Sequence, residues 1–305
     1  MNAIPEKQNS DHALWLMRAR QRTYANATTL QVLQLIATVA LPAILGWIAV
    51  SIPATRAPLA AASLILLLLD IFVLDRAQLY FLRRAAKIAE QFDCEVLDLS
   101  WNGFIADPRL DSEDIEAAAA AYPGNARALA VIRDWYPRAV GRAPLHVGRI
   151  VCQLANMRYD AKLRRRYAMV VCVLPGLVLL AALAALATFG LAFEAVVLSI
   201  LVPATPVTVW ALREAFRHND AAAAQERIKD AVEALWSGIA RCSAEECTIK
   251  AREFQDAIYQ RRVSSPLVFP LVYHLLRDKM ESQMNKGAEE RLVEAGYQQE
   301  EPATL

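Results

Sequence analysis

Glycine is scarce, at 10 of 305 residues. That excludes glycine-rich loops that cradle phosphates and argues against an all-β fold. No stretch reads GxSxG, GxxxxGK[ST] or HExxH, and no CxxC pair occurs. The histidines, His12, His146, His218 and His274, stand singly. Cys242 and Cys247 are five apart with no partner pair for zinc. Cys152 lies six residues from His146, 240° around a helix, so the two do not align as nucleophile and base. An odd set of five cysteines implies no disulfide framework and fits reduced thiols. Net charge is only +1, which removes the argument for a nucleic-acid polymer as partner. The expectation is a chain that is not an enzyme and needs no metal or cofactor.

What the chain has is long apolar blocks. Hydrophobic residues make up 56% and the mean hydropathy is +0.23. Residues 30–52 contain no charge, and 23 helical residues rise roughly 34 Å, enough for a bilayer core of about 30 Å. A second span covers about 58–78, a third 168–190 and a fourth 193–212. The link SIPATRAP and the near-absence of a link after the third span make two tight hairpins, 30–80 and 168–212. The first block follows 29 mostly polar residues and is too long for a cleaved signal, so it reads as an uncleaved anchor.

Lys and Arg number four in residues 1–29, fifteen in 76–167 and thirteen in 213–305, against one in the first hairpin turn and none in the second. The positive-inside rule places the N-terminal segment, the middle block 81–167 and the C-terminal helices 213–285 in the cytoplasm. The polar tail 286–305 is expected to fray there. The expected architecture is an all-α, multi-pass protein of the bacterial inner membrane. Both termini are cytoplasmic, and the cytoplasmic domain is mainly helical with at most a short strand, suggested by the alternation in DCEVLDLSW.

Polar residues inside the spans are candidates for a pore or gate. Asp70 interrupts the second span, Gln31, Gln34 and Thr38 share one face of the first, and Pro203 and Pro206 bend the fourth. The bland alternatives are a carboxylate near the headgroups and interhelical amide bonding.

In the middle block, Arg149, Gln153, Asn156, Asp160 and Arg164 fall within about 80° if HVGRIVCQLANMRYDAKLRRRY is one helix. Arginines with amides suit a phosphate and a base edge, and Trp101, Trp135 and Tyr136 could stack on bases. The alternative is a polar network knitting helices together. Arg252, Gln255, Asp256, Tyr259 and Arg262 form a counterpart stripe.

The segments AAKIAEQFDCEVLDLSWN, RDWYP, CQLANMRYDAKLRRRY and REFQDAIYQRR resemble the SMODS-associated four-transmembrane effector family of bacterial anti-phage systems. The resemblance covers nearly the whole chain and departs at Ala89, where the family pattern has glutamine. It implies a membrane effector, pore-forming or membrane-disrupting, that acts as a homo-oligomer and is controlled by a cyclic oligonucleotide from a neighbouring nucleotidyltransferase. The alternative is a membrane-anchored scaffold. A transporter is disfavoured by four spans without an internal repeat.

Overall fold

The structure is a computed structural model that describes residues 1–190 and 192–298. Four helices dominate it: α1 (Asp11–Ser51), α2 (Pro53–Val96), α4 (Leu145–Thr188) and α5 (Phe193–Trp236). The shorter helices include α3 (Ser112–Ala120), α6 (Ala244–Ser264) and α7 (Pro270–Glu294). No strand occurs among the described residues.

The long helices run 41, 44, 44 and 44 residues. At 1.5 Å per residue each measures roughly 60–66 Å, about twice the bilayer core. One half of each helix therefore belongs to a membrane span and the other half to an extramembrane domain. The spans expose Ile65, Phe72 and Leu180 at 65%, 72% and 63%, surface that a bilayer satisfies and water would not. Small and β-branched residues fill the interior between them: Ala37, Val39, Ala182, Ala185 and Val196 are buried.

Both hairpins turn by local chemistry. Pro53 opens a short 3-10 turn after Ser51. Gly190 adopts φ +59°, a left-handed conformation that caps the third span with no Cβ penalty. Three spans contain one π-helical turn each, at Ile36–Ala40, Asp70–Leu74 and Val197–Leu201. Two of these precede a proline closely, Pro42 and Pro203.

The extramembrane domain has one main core. Leu16 and Met17 of α1, Ile88 and Phe92 of α2, Ile150 and Leu154 of α4 and Ile258 of α6 are all buried in it. The first helix is thus a core element, begun by Ser10, whose side chain accepts from the Ala13 N–H. Asn2 reaches back to the carbonyls of Val140 and Ala143, at 2.7 and 2.9 Å. A Cβ on Gly148 would sit 2.6 Å from the Asn2 amide nitrogen, so any other residue there would push that amide from its place. Ser243 and Glu246 form a capping box at the start of α6.

Two expectations change. The alternating DCEVLDLSW is not a strand: Asp93–Val96 close α2, and Asp98 at φ +54° turns the chain. Residues 286–294 are not frayed, because α7 continues to Glu294 and buries Ala288 and Leu292 in the core. Residues 299–305 of the expected tail lie outside the described residues.

Candidate functional site

Of the membrane candidates, Gln31, Gln34 and Asp70 sit where the spans meet the domain, while Pro203, 10 residues from Phe193, lies near mid-span against Gly46. Asp70 is 14 residues from Arg56 along α2, roughly 21 Å from the hairpin end of a 30 Å core, so it lies in the domain-side third. There the Gln34 amide donates to the Asp70 carboxylate at 2.8 Å. Gln31, one turn closer to the domain, donates to the Leu267 carbonyl at 2.9 Å. Thr38 bonds back to the Gln34 carbonyl within its own helix. In the fourth span, Pro203 leaves the Ser199 carbonyl without its helical donor, and the Trp47 indole N–H supplies one at 3.0 Å. Thr205, just before Pro206, donates to the Leu201 carbonyl.

The link between α6 and α7 acts as a collar at this level. Leu267 takes Gln31 of α1, and the Pro266 carbonyl takes Arg164 of α4 at 2.7 Å. Val268 and Phe269 pack on Tyr167, Val171 and Ala211. Arg164 also pairs with Asp160 at 2.7 Å and approaches the buried His218, which bonds Glu214 at 3.2 Å. Burial holds the His218 pKa below its ordinary value, against the pull of Glu214.

The predicted arginine–amide stripe lies inside the fold. Arg149, 5% exposed, donates to the carbonyls of Leu97 and Asp98 and to the Thr248 hydroxyl. Gln153, 1% exposed, donates to the Ala251 carbonyl at 2.7 Å and to Gln255 at 3.2 Å. Asn156 makes no hydrogen bond among the described residues. The two stripes do meet, α4 against α6, but they bond each other and α2 rather than enclosing space. Glu90 accepts from Arg252 and Gln255, and Asp93 accepts from Gln255, Arg262 and the Tyr136 hydroxyl. Burial raises the Glu90 carboxyl pKa, with Asp93 adding to it and Arg252 opposing. Burial also pushes the Cys94 thiol up to about 12 and the Cys152 thiol well above its ordinary value, so neither is a ready nucleophile. Nor do the aromatic rings gather at the stripe. Trp135 lies under Arg20 at 4.2 Å, Tyr136 is buried on Asp93, and Trp101 bonds the Asp107 carbonyl at 3.0 Å.

An open cleft of about 490 Å³ lies elsewhere, between α2, the 105–110 loop and α6. Arg76, Tyr80, Arg83, Arg84 and Lys87 of α2 line one wall, and Tyr259 of α6 stands opposite. Arg84 pairs with Asp114 at 3.1 Å and Lys87 with Asp107 at 3.6 Å. Arg76 and Arg83 have no ion pair among the described residues. In the sequence these cations signal orientation, as a dense flank on the second span. Their 3- and 4-residue spacing was the available hint of a common face. The opposing wall comes from residues some 170 positions away, which no local pattern announces.

Fold and site together define a multi-pass membrane protein whose extramembrane domain is built from extensions of its own spans, with a basic cleft at their junction. The chain belongs to the SMODS-associating 4TM effector domain family, whose profile matches residues 2–291. It is similar to a probable CBASS effector molecule of Bacillus cereus (strain VD146), 20% identical over 220 residues, which are 71% of this chain and 72% of that protein. No solved structure matches it.

Proposed function

We propose that this membrane effector of anti-phage defence disrupts the membrane, as an assembly of several copies, when a cyclic oligonucleotide is sensed on the cytoplasmic side. The observation that carries the reading is the continuity of the four long helices from domain into bilayer. A ligand that binds two states of the domain unequally would bias the spans through the helices they share. The effector kinship supports control by a signal. Conduction is assigned to several copies because small residues fill the interior of one four-span unit. No catalytic step is required.

The test is membrane potential in cells producing the chain with an active or an inactivated cyclic-oligonucleotide synthase. Depolarisation is expected only with the active enzyme. Equal depolarisation in both would remove the nucleotide from the mechanism, and none in either would favour a membrane-anchored scaffold. The orientation is checked by cysteine labelling in intact cells. Sites beside Arg56 and Gly190 should react from outside, and sites beside Asp107 and Lys250 only after permeabilisation. A cytoplasmic Arg56 would overturn the topology.

A further inference from the structure

The cleft between α2 and α6 gathers cations on one concave wall, and not all of them have an ion pair. Its two satisfied cations, Arg84 and Lys87, already have carboxylates at 3.1 and 3.6 Å. Arg76 and Arg83 line the same cleft, are exposed, and form no ion pair among the described residues; the cleft's carboxylate, Asp107, is the one paired with Lys87. Like charges on one concave wall repel, and an anion between them would relieve that repulsion. The two arginines are seven residues apart, which returns to the same helix face and separates their backbones by about 10 Å. Both present planar forks suited to paired phosphate oxygens. Tyr80 lies between them and is 55% exposed, offering an aromatic face. Across the cleft, burial and the carboxylates of Asp107 and Glu90 raise the Tyr259 phenol pKa and Arg83 opposes them, so α6 lies within reach of the charges on the α2 wall. A volume of about 490 Å³ falls among sites that hold whole ligands of about 300–1,000 Å³, far more than one phosphate needs.

We propose that this cleft binds a phosphodiester-bearing anion, with Arg76 and Arg83 on the phosphate oxygens and Tyr80 against an attached ring or chain. Two sources share that chemistry. One is a soluble cyclic oligonucleotide, in which case the inference rests on the function proposed above. The other is an anionic lipid headgroup, since Arg76 lies six residues beyond Asp70 on the same helix. The position suits control of the spans in either case. One wall is the helix that enters the membrane as the second span. The other wall, α6, runs into the collar that holds Gln31 and Arg164.

The experiment uses the full chain in nanodiscs. Binding of 3′,3′-cyclic GMP–AMP and of cyclic tri-AMP is measured in phosphatidylcholine discs, and enrichment of phosphatidylglycerol is measured in mixed discs. Arg76→Gln and Arg83→Gln are combined, and Arg127→Gln, an exposed arginine on another surface, is the control. Both substitutions are at exposed positions, and thermal unfolding checks that the fold survives. The double variant should weaken a bound probe at least tenfold while the control leaves it unchanged. Loss of nucleotide binding makes the cleft a signal site. Loss of phosphatidylglycerol enrichment alone makes it a headgroup site. Wild-type-like behaviour of the double variant towards every probe, or no binding of any probe by the wild type, overturns the proposal. The synthase experiment above separates the two ideas: depolarisation that persists in the double variant refutes the cleft as signal site and leaves the effector reading intact.

Discussion

The Gln34 amide of the first span holds the Asp70 carboxylate of the second at 2.8 Å, beside a π-helical turn that begins at Asp70 itself. The bond ties the two arms of a hairpin at the depth where the spans leave the domain. Interhelical hydrogen bonds in membranes are worth about 0.6 kcal/mol on average and rarely above about 1.7. Asp70→Asn should keep the bond and behave nearly as wild type. Asp70→Leu should insert and express normally but change synthase-dependent depolarisation, because the hairpin loses its tie. Unaltered depolarisation in Asp70→Leu would make the residue a boundary carboxylate only.

The Trp47 indole completes the Ser199 carbonyl that Pro203 leaves open. This dependence can be read as a coupling. Trp47→Phe should lower thermal stability in detergent by about 0.6 kcal/mol, the average worth of an interhelical bond in a membrane. In a Pro203→Ala background the new backbone N–H can take the carbonyl, and the same Trp47 substitution should then cost much less. A double-mutant cycle with additive effects would show that the indole acts only through packing.

The sequence announced the membrane part well because its signal is local. Unbroken apolar blocks and flanking arginines are enough to place four spans and two hairpins, and the arginine–amide stripe does form one helix face. What that face touches depended on contacts of distant elements. Thr248, Ala251 and Gln255 lie about a hundred residues from Arg149 and Gln153, and they decide that these side chains bond within the fold. The tail went unrecognised as helix because only Ala288 and Leu292 carry its apolar face in a polar run. DCEVLDLSW alternates because one helical turn and one left-handed Asp happen to bury Val96, Leu97 and Leu99 together.

His218 gives the domain a pH dependence with a definite sign. Its pKa is lowered in the folded state by burial, so the unfolded chain holds more protons near pH 6.5. Stability from this group is therefore present above the unfolded value and declines as pH falls towards the folded one. Thermal unfolding followed from pH 7.5 to 5 should show a loss that His218→Gln reduces. A wild-type curve that is flat, or that rises on acidification with the variant unchanged, would rule out the neutral buried imidazole as its source.

Arg149 and Gln153 provide the sharpest separation between a knitting network and a ligand pocket. Arg149 satisfies the carbonyls of Leu97 and Asp98, where the chain leaves α2 through a left-handed residue, and it reaches Thr248 on α6. Arg149→Ala leaves those acceptors without their charged donor, at about 1–3 kcal/mol for each that stays buried. Gln153→Ala removes one amide bridge between α4 and α6 and should cost less, on the order of 1 kcal/mol. Asn156 shares the helix face yet makes no hydrogen bond among the described residues, so Asn156→Ala should be nearly neutral. Stability measured by unfolding in micelles should thus fall in the order Arg149, Gln153, Asn156, while correctly folded variant protein retains whatever nucleotide affinity the wild type shows. Full stability with lost affinity in Arg149→Ala would instead restore the stripe as the ligand site and displace the α2–α6 cleft from that role.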